Sequence, residues 1–515
     1  MASSRHSAAS WKAWMSLTRS RKKKWTARHP SAAWRSSKRR SIRRMVKLLL
    51  RAVLAFSALP ASAAEPRWLR AASPDFEIFS SASESDTRRT LQQFDRAKGF
   101  LEHDMRRGVR RQPGPVRVVL FGSNKEYNEY RFKTFTVAYS AHITGRDYVV
   151  LGGAADDVFS TAVHEYIHLL MQDAGPRLPP WFSEGIAELY STLKPAGDKA
   201  VVGAPPPARV QALGREKWVP LSEILSADHD SPYYNQTAMA GSLYNQGWAL
   251  VHMLEFNPRY GPRFAQFMEI VEQGTPSRKA FEIVYGKPLE TIERDLKAYL
   301  RRGYFATRMA FAQPQSANAA AVEPASMFDV NLALLDLASR LGKTAETRAG
   351  LERLMRENPR RPEPHVTLGY LLVRNNREEE AFHSFETAVN LGSRDAQMLW
   401  DYGRLAAATE PVQAMRVLKL LLADQPSRAD ARLELAEIQM SRGGATDAVV
   451  TLEPVQEVAP GDAHRLYQIL TIAHLELGNR RIALGHARRW FKSAQDHSQR
   501  TNASRILHSL EDAGK

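Results

Sequence analysis

Between Asp156 and Tyr190 the chain reads DDVFSTAVHEYIHLLMQDAGPRLPPWFSEGIAELY, and this stretch restricts the possible fold more than any other. Phe159, Val163, Ile167 and Leu170 recur at helical spacing, which makes the first half an amphipathic helix. His164 and His168 lie on a neighbouring stripe one turn apart, so both imidazoles leave the helix in the same direction. Imidazoles so placed can hold one Zn²⁺, and Glu165 can then collect the proton of a water that the metal activates. Asp156 and Asp157 suit the helix N-cap, and Gly175-Pro176 suits its end.

A two-histidine site needs a third protein ligand. After Pro179-Pro180, the segment WFSEGIAEL reads as a second short helix with Glu184 and Glu188 on one face. A chance His-Glu-x-x-His is expected on the order of 0.03 times in a chain of this composition, so the motif alone is moderately specific. HEYIH followed by LPPWFSEGIAEL resembles the gluzincin metallopeptidases. More narrowly, residues 76–305 are similar to the peptidase MA-like domains known as DUF1570, through VRVVLFGS, HEYIHLL, LPPWFSEGIAELYS and LYNQGWALVHML. The resemblance implies an α+β, thermolysin-like zincin fold and a peptidase acting on a peptide or protein substrate. It implies one Zn²⁺ per chain, held by His164, His168 and Glu184 with water in the fourth position. Glu165 is then general base and afterwards general acid, and Glu188 orients a ligand imidazole. A Tyr or His downstream of the third ligand should stabilise the oxyanion. Tyr244 is the choice, with Tyr233, Tyr234 and His252 as alternatives; His142 either lines the cleft or is a satisfied strand histidine.

Around this stretch the chain reads as a small mixed sheet with helices. FEIFSS (76–81) and VRVVLFGS (116–123) are strands, 84–107 and Lys125–Phe132 are helices, and HITGRDYVVLGG (142–153) is a hairpin or a turn into a strand. Residues 194–240 are rich in loop signals and suit the rim of a cleft. Amphipathic helices follow at 241–256 and 262–274. The metallopeptidase-like domain spans 66–305, and 306–327 reads as an Ala/Pro/Ser-rich linker.

From residue 328 to 515 the chain is repetitive. Leu368-Gly369, Ala381, Phe385 and Ala388 mark one unit of helix-turn-helix length, and Leu435-Ala436, Ala448, Leu452 and Pro460 fall at matching offsets in another. Gly403 begins a contracted unit between them; Leu470 and Ala483 fit a further unit, and Leu351, Leu354 and Pro359 a degenerate first one. The pattern resembles a tetratricopeptide array of four to five units, an all-α solenoid. Such an array offers a concave surface for a protein partner, or serves as a scaffold or dimerisation arm.

The formal net charge is +17. Residues 1–64 hold 16 Lys+Arg and no Asp or Glu, which leaves 56 against 55 in the remainder. The basic excess therefore belongs to the leader and gives no reason to expect nucleic-acid binding. Arg43, Arg44, Lys47 and Arg51 precede the apolar run Val53–Leu59 and then Ala61-Ser62-Ala63-Ala64, the layout of a secretory signal peptide. Met45 makes a compact start by itself, so 1–44 is either a gene-model artefact, a long n-region or a basic arm. The chain contains no Cys, which excludes disulfides, thiol catalysis and Cys-ligated zinc. No later segment reaches the length of a membrane span. The expectation is an exported peptidase, periplasmic or secreted, with repeats that select protein substrates. Two alternatives stand beside it: an envelope quality-control protease of the M48 kind, and a non-catalytic envelope binding or assembly protein with a vestigial zinc domain.

Overall fold

The computed structural model describes residues 67–104, 114–132, 136–172, 178–196, 199–228, 231, 237–303, 307–311, 321–456, 458 and 461–512. The leader, Gly175-Pro176, Tyr233 and Tyr234 lie outside the described residues. The chain begins with β1 (Leu69–Ala72), β2 (Phe76–Ser80), α1 (Glu84–Asp104), β3 (Val116–Leu120), α2 (Asn124–Tyr130), β4 (Ala138–Ile143) and β5 (Arg146–Leu151). Next come α3 (Asp156–Gln172), α4 (Pro180–Ser191), β6 (Lys194–Ala196), β7 (Lys199–Val202), α5 (Pro207–Arg215), α6 (Leu221–Ser226) and α7 (Thr237–Phe256). Then follow α8 (Phe264–Glu272), α9 (Ser277–Tyr285), α10 (Leu289–Arg301), β8 (Arg308–Phe311) and β9 (Val322–Pro324).

One mixed sheet has the order β4-β5-β3-β2-β1-β9, with β2, β3 and β5 parallel and β4 an antiparallel edge. The β4–β5 hairpin turns on Thr144 and Gly145, both at positive φ (52° and 72°). A two-residue turn of that hand matches the twist of the strands it joins. The central strands are apolar on both faces, so both faces must be covered. On one face Ile78, Val118 and Val149 pack under Phe94 and Leu101 of α1 and Phe159, Val163 and Ile167 of α3. That layer seats the His-Glu-x-x-His helix against the sheet.

Some expectations change in detail. Asp156 and Asp157 occupy the first turn of α3 instead of capping it, since the amide of Phe159 bonds the carbonyl of Ala155. Their charges still face the positive end of the helix dipole. The loop-rich 194–240 segment contains β6, β7, α5 and α6, because its prolines start helices as readily as they break them. The 306–327 segment holds two strands: β8 completes a second, three-stranded sheet with β6 and β7, and β9 pairs with β1. It is partly built into the sheets it was expected merely to follow.

The C-terminal region consists of α11 (Met327–Arg340), α12 (Thr344–Glu357), α13 (Glu363–Arg374), α14 (Glu378–Asn390), α15 (Ala396–Ala406), α16 (Pro411–Asp424) and α17 (Ala429–Ser441). It ends with α18 (Ala445–Leu452), α19 (Ala463–Glu476), α20 (Arg480–Ser493) and α21 (His497–Asp512). These form successive helix pairs with α21 laid on the last. Small residues permit the close crossings: a Cβ on Gly369 would come within 2.4 Å of Phe385, and one on Gly403 within 2.8 Å of Leu418.

The first repeat helix closes the second face of the sheet. Val330, Ala333 and Leu337 of α11 pack on Phe79, Val119, Tyr148 and Val150. Asp336, fully buried beneath them, accepts from the Tyr148 hydroxyl (2.5 Å) and from Thr367 Oγ1 on α13 (3.0 Å). Arg117 in turn donates to the Tyr148 oxygen (3.2 Å). One carboxylate thus ties the sheet to two repeat helices. Asp336→Ala should strand both hydroxyls and cost about 3 kcal/mol, read as a lower midpoint of thermal unfolding; an unchanged midpoint would remove the network from the account of stability.

Candidate metal centre

Helices α3 and α4 lie antiparallel, joined where Ser160 Oγ donates to the Ser191 carbonyl (2.6 Å). The start of α4 is anchored by Trp181, which is buried and donates to Ser277 Oγ (2.9 Å). Its middle crosses α7 at two glycines. A Cβ on Gly185 would lie 2.7 Å from the Gly247 carbonyl oxygen, and one on Gly247 would lie 2.7 Å from that of Trp181. This close crossing presses the carboxylate face of α4 onto α3.

His164 Nε2 and His168 Nε2 are 3.0 Å apart, and Glu184 Oε2 lies 3.2 and 3.4 Å from them. Among the described residues this trio is the one group of its kind able to hold a metal. For ligands about 2.0–2.1 Å from a tetrahedral Zn²⁺, the edge of the tetrahedron is about 3.3 Å, so the donor triangle fits that ion. Glu184 Oε2 is buried and makes no hydrogen bond of proper geometry despite its two close nitrogens. Three donor atoms converging on one point suit a shared cation better than they suit one another.

Glu188, one turn past Glu184, lies 3.2 Å from His164 Nδ1 and so fixes the ring on the side away from the trio. Both carboxylates are nearly sealed, at 3% and 8% exposed. Burial alone would raise their pKa values, but His168 and His164 hold Glu184 well below the usual carboxylate range. His164 and Arg209 do the same for Glu188. Burial disfavours the charged His164 imidazole, yet Glu184 and Glu188 outweigh it and lift that pKa to about 10. A divalent ion entering the site therefore displaces a proton.

Two residues enter the site without having been singled out from sequence. Arg209, on α5, grips Glu188 through Nε (2.7 Å) and Nη2, and donates to Asn245 Oδ1 (3.0 Å). The signal available was the proline run before it, which starts a helix at the site's edge. Ser140, on the edge strand β4, donates to Glu165 Oε2 from both its amide (3.0 Å) and its hydroxyl (2.8 Å). Nothing in its local sequence distinguishes it. The Tyr244 ring lies 5.7 Å from the Arg209 guanidinium, which in turn grips Glu188.

His252 belongs to the core. It is fully buried, with Nε2 on the Gly203 carbonyl (2.9 Å) and Nδ1 on the Tyr299 hydroxyl (2.8 Å). The carbonyl can only accept, so Nε2 carries the proton and Nδ1 accepts from Tyr299. Burial lowers its pKa to about 4. With both nitrogens committed, it is no oxyanion donor. His142, on β4, is half exposed and pairs with Asp147 (2.8 Å).

Residues 405–471 match the tetratricopeptide repeat family, and the C-terminal part of the chain is a repeat array of that class. No curated protein sequence matches the chain. Among solved structures it is similar to YrrB, described as a TPR protein with an unusual peptide-binding site. The identity is 18%, over 34% of this chain and 90% of that one, with a TM-score of 0.30. A MamA protein is 20% identical over 32% of this chain and 91% of its own, with a TM-score of 0.28. The MamA 41-end from Desulfovibrio magneticus RS-1 gives 16% identity, 34% and 99% coverage, and a TM-score of 0.27.

Gly185→Ala should force α4 and α7 apart at a cost of about 2 kcal/mol, because its Cβ meets backbone. The fit of the His164, His168 and Glu184 trio to a metal should worsen with it, read as weaker uptake of added Zn²⁺ than by the wild type; a variant with wild-type stability and uptake would show that the crossing does not set the site. His252 also makes stability depend on pH. Its folded pKa is depressed, so its contribution is present above the unfolded value of about 6.5 and lost as pH falls through about 4. Denaturant unfolding across that window should lose roughly 3 kcal/mol, and His252→Gln should flatten the profile; an equally steep profile in the variant would assign the loss elsewhere.

Proposed function

We propose that residues 66–305 form a zinc-dependent peptidase and that the tetratricopeptide array serves it as a protein- or peptide-binding module. The observation that carries this reading is the convergence of His164, His168 and Glu184, with Glu165 on the same helix held to an edge strand by Ser140. A structural metal site has no need of Glu165. Bound by these three residues, a divalent ion supplies Lewis-acid polarisation of a carbonyl and lowers the pKa of water.

The chain's own residues do the rest. Glu188 and Arg209 keep His164 in the tautomer that presents Nε2 to the ion, since Nδ1 faces the Glu188 carboxylate. Glu165 takes the proton of the attacking water on its carboxylate and passes it to the leaving amine nitrogen. The two Ser140 donors fix the orientation of that carboxylate while it is charged. Tyr244 is the proposed hydrogen-bond donor to the oxyanion, reached from α7 beside Arg209. The leader's basic and apolar pattern supports export, to the periplasm or beyond. Among the described residues no helix is long and apolar enough to cross a membrane.

The test measures zinc stoichiometry and casein hydrolysis for the wild type, Glu165→Gln and His164→Ala. We expect one zinc per chain in the first two, with hydrolysis falling at least about 100-fold in Glu165→Gln. Full zinc in the wild type with no hydrolysis of any unfolded protein would favour a binding or assembly protein. Full zinc retention by His164→Ala would overturn the ligand assignment.

A further inference from the structure

A cleft of about 530 Å³ lies where the tip of the β4–β5 hairpin meets the repeat array. Its near wall includes His142 on β4 and Leu169, the residue after His168 on α3; its far wall includes Arg394, Asp395 and Gln397 at the start of α15, and Gln425. Side chains alternate along a strand, so Ser140 and His142 stand on the same face of β4, about 7 Å apart. Ser140 touches Glu165. Ser140, which meets the proposed general base, and His142, which lines this cleft, therefore share one face of β4.

The far wall is fixed relative to the near one. Gly145, at the hairpin tip, lies so close to Gln397 that a Cβ would sit 2.6 Å from its side chain. Arg146 pairs with Asp395 (3.5 Å), which also caps α15 through the Met398 amide (2.9 Å). The charges in the cleft are unevenly satisfied. Glu77 meets Arg70 and Arg117, Asp147 meets His142, and Asp395 meets Arg146. Arg394 is exposed, and among the described residues its guanidinium meets no carboxylate, donating only to the Ser393 carbonyl at 3.5 Å. What the cleft lacks is an anion opposite Arg394.

We propose that this cleft takes one end of an extended peptide lying along β4 past Ser140, and that Arg394 of the repeat array binds a carboxylate of that peptide. The assignment rests on the peptidase reading for its purpose but not for its test. The array then acts in part as one wall of the cleft and selects acidic segments a few residues from the reacting bond. The carboxylate is either an acidic side chain or a chain end.

The experiment is fluorescence anisotropy at low salt, with full-length Glu165→Gln protein and fluorescein-labelled Gly/Ser peptides. One peptide carries a central Asp-Asp with an amidated end, one Asn-Asn with an amidated end, and one Asn-Asn with a free carboxylate end. A hydrogen-bonded charge pair predicts that Asp-Asp binds about tenfold tighter than amidated Asn-Asn, and that adding Arg394→Glu abolishes the difference. If the free-ended Asn-Asn peptide matches Asp-Asp, the site takes a chain end. Equal binding of all three peptides, or an unchanged preference in the Arg394→Glu protein, overturns the proposal. Either result holds whether or not the wild type hydrolyses casein, so failure here and failure of the peptidase reading are distinguishable.

Discussion

Two glutamates one turn apart on a nearly sealed helix set the terms for the N-terminal region. An ionised carboxylate in such a place costs several kcal/mol unless charge and hydrogen bonds compensate it. Glu184 is compensated by the two imidazoles of α3, and Glu188 by His164 and the Arg209 fork. Arg209 is itself held by Asn245, which donates to Glu216 (3.0 Å). The chain of partners runs from α3 through α4 to α5 and α7, so the buried charges are compensated jointly by residues of four helices. Only Glu184 Oε2 ends the chain without a proper donor, at the point where the three candidate ligands meet.

Packing enforces the same arrangement. Gly185 stands between Glu184 and Ile186 because the carbonyl of Gly247 occupies the space a side chain would need. The glycine of the EGIA segment thus has a steric cause in α7, some sixty residues away in the chain. The aromatic cluster around Trp181 holds the start of α4, and the Ser160–Ser191 bond holds its end.

What could be read from sequence was what depends on local periodicity. The His-Glu-x-x-His pair, the two glutamates of α4 and the helix pairs of the array all follow from spacing along one chain. What could not be read depends on distant partners. Ser140 matters because an edge strand happens to pass Glu165, and Arg209 because α5 folds back over Glu188. His252 looks like an available donor until the carbonyl of Gly203 and the hydroxyl of Tyr299 occupy both its nitrogens. The strands β8 and β9 were hidden because a short run among Ala and Pro signals a strand only when a sheet edge is waiting for it. Tyr244 was chosen from its place in the sequence, and its ring lies 5.7 Å from the Arg209 guanidinium that holds Glu188.

The sheet explains why the two regions are not independent. A strand such as β3, apolar at Val118 on one face and Val119 on the other, cannot leave either face to water. Helices α1 and α3 cover the first face; the second is covered by α11, which also begins the solenoid. The first repeat helix is therefore part of the core behind the sheet on which α3 lies, and a tether of variable geometry would not supply that cover. Asp336 sharpens this, because a buried carboxylate bonded to both Tyr148 and Thr367 tolerates little sliding between sheet and array. With that contact rigid, Arg394 and Gln397 stand at a set distance from β4. A selecting surface held in register with a reacting centre discriminates by position along the substrate; one on a flexible linker raises only its local concentration.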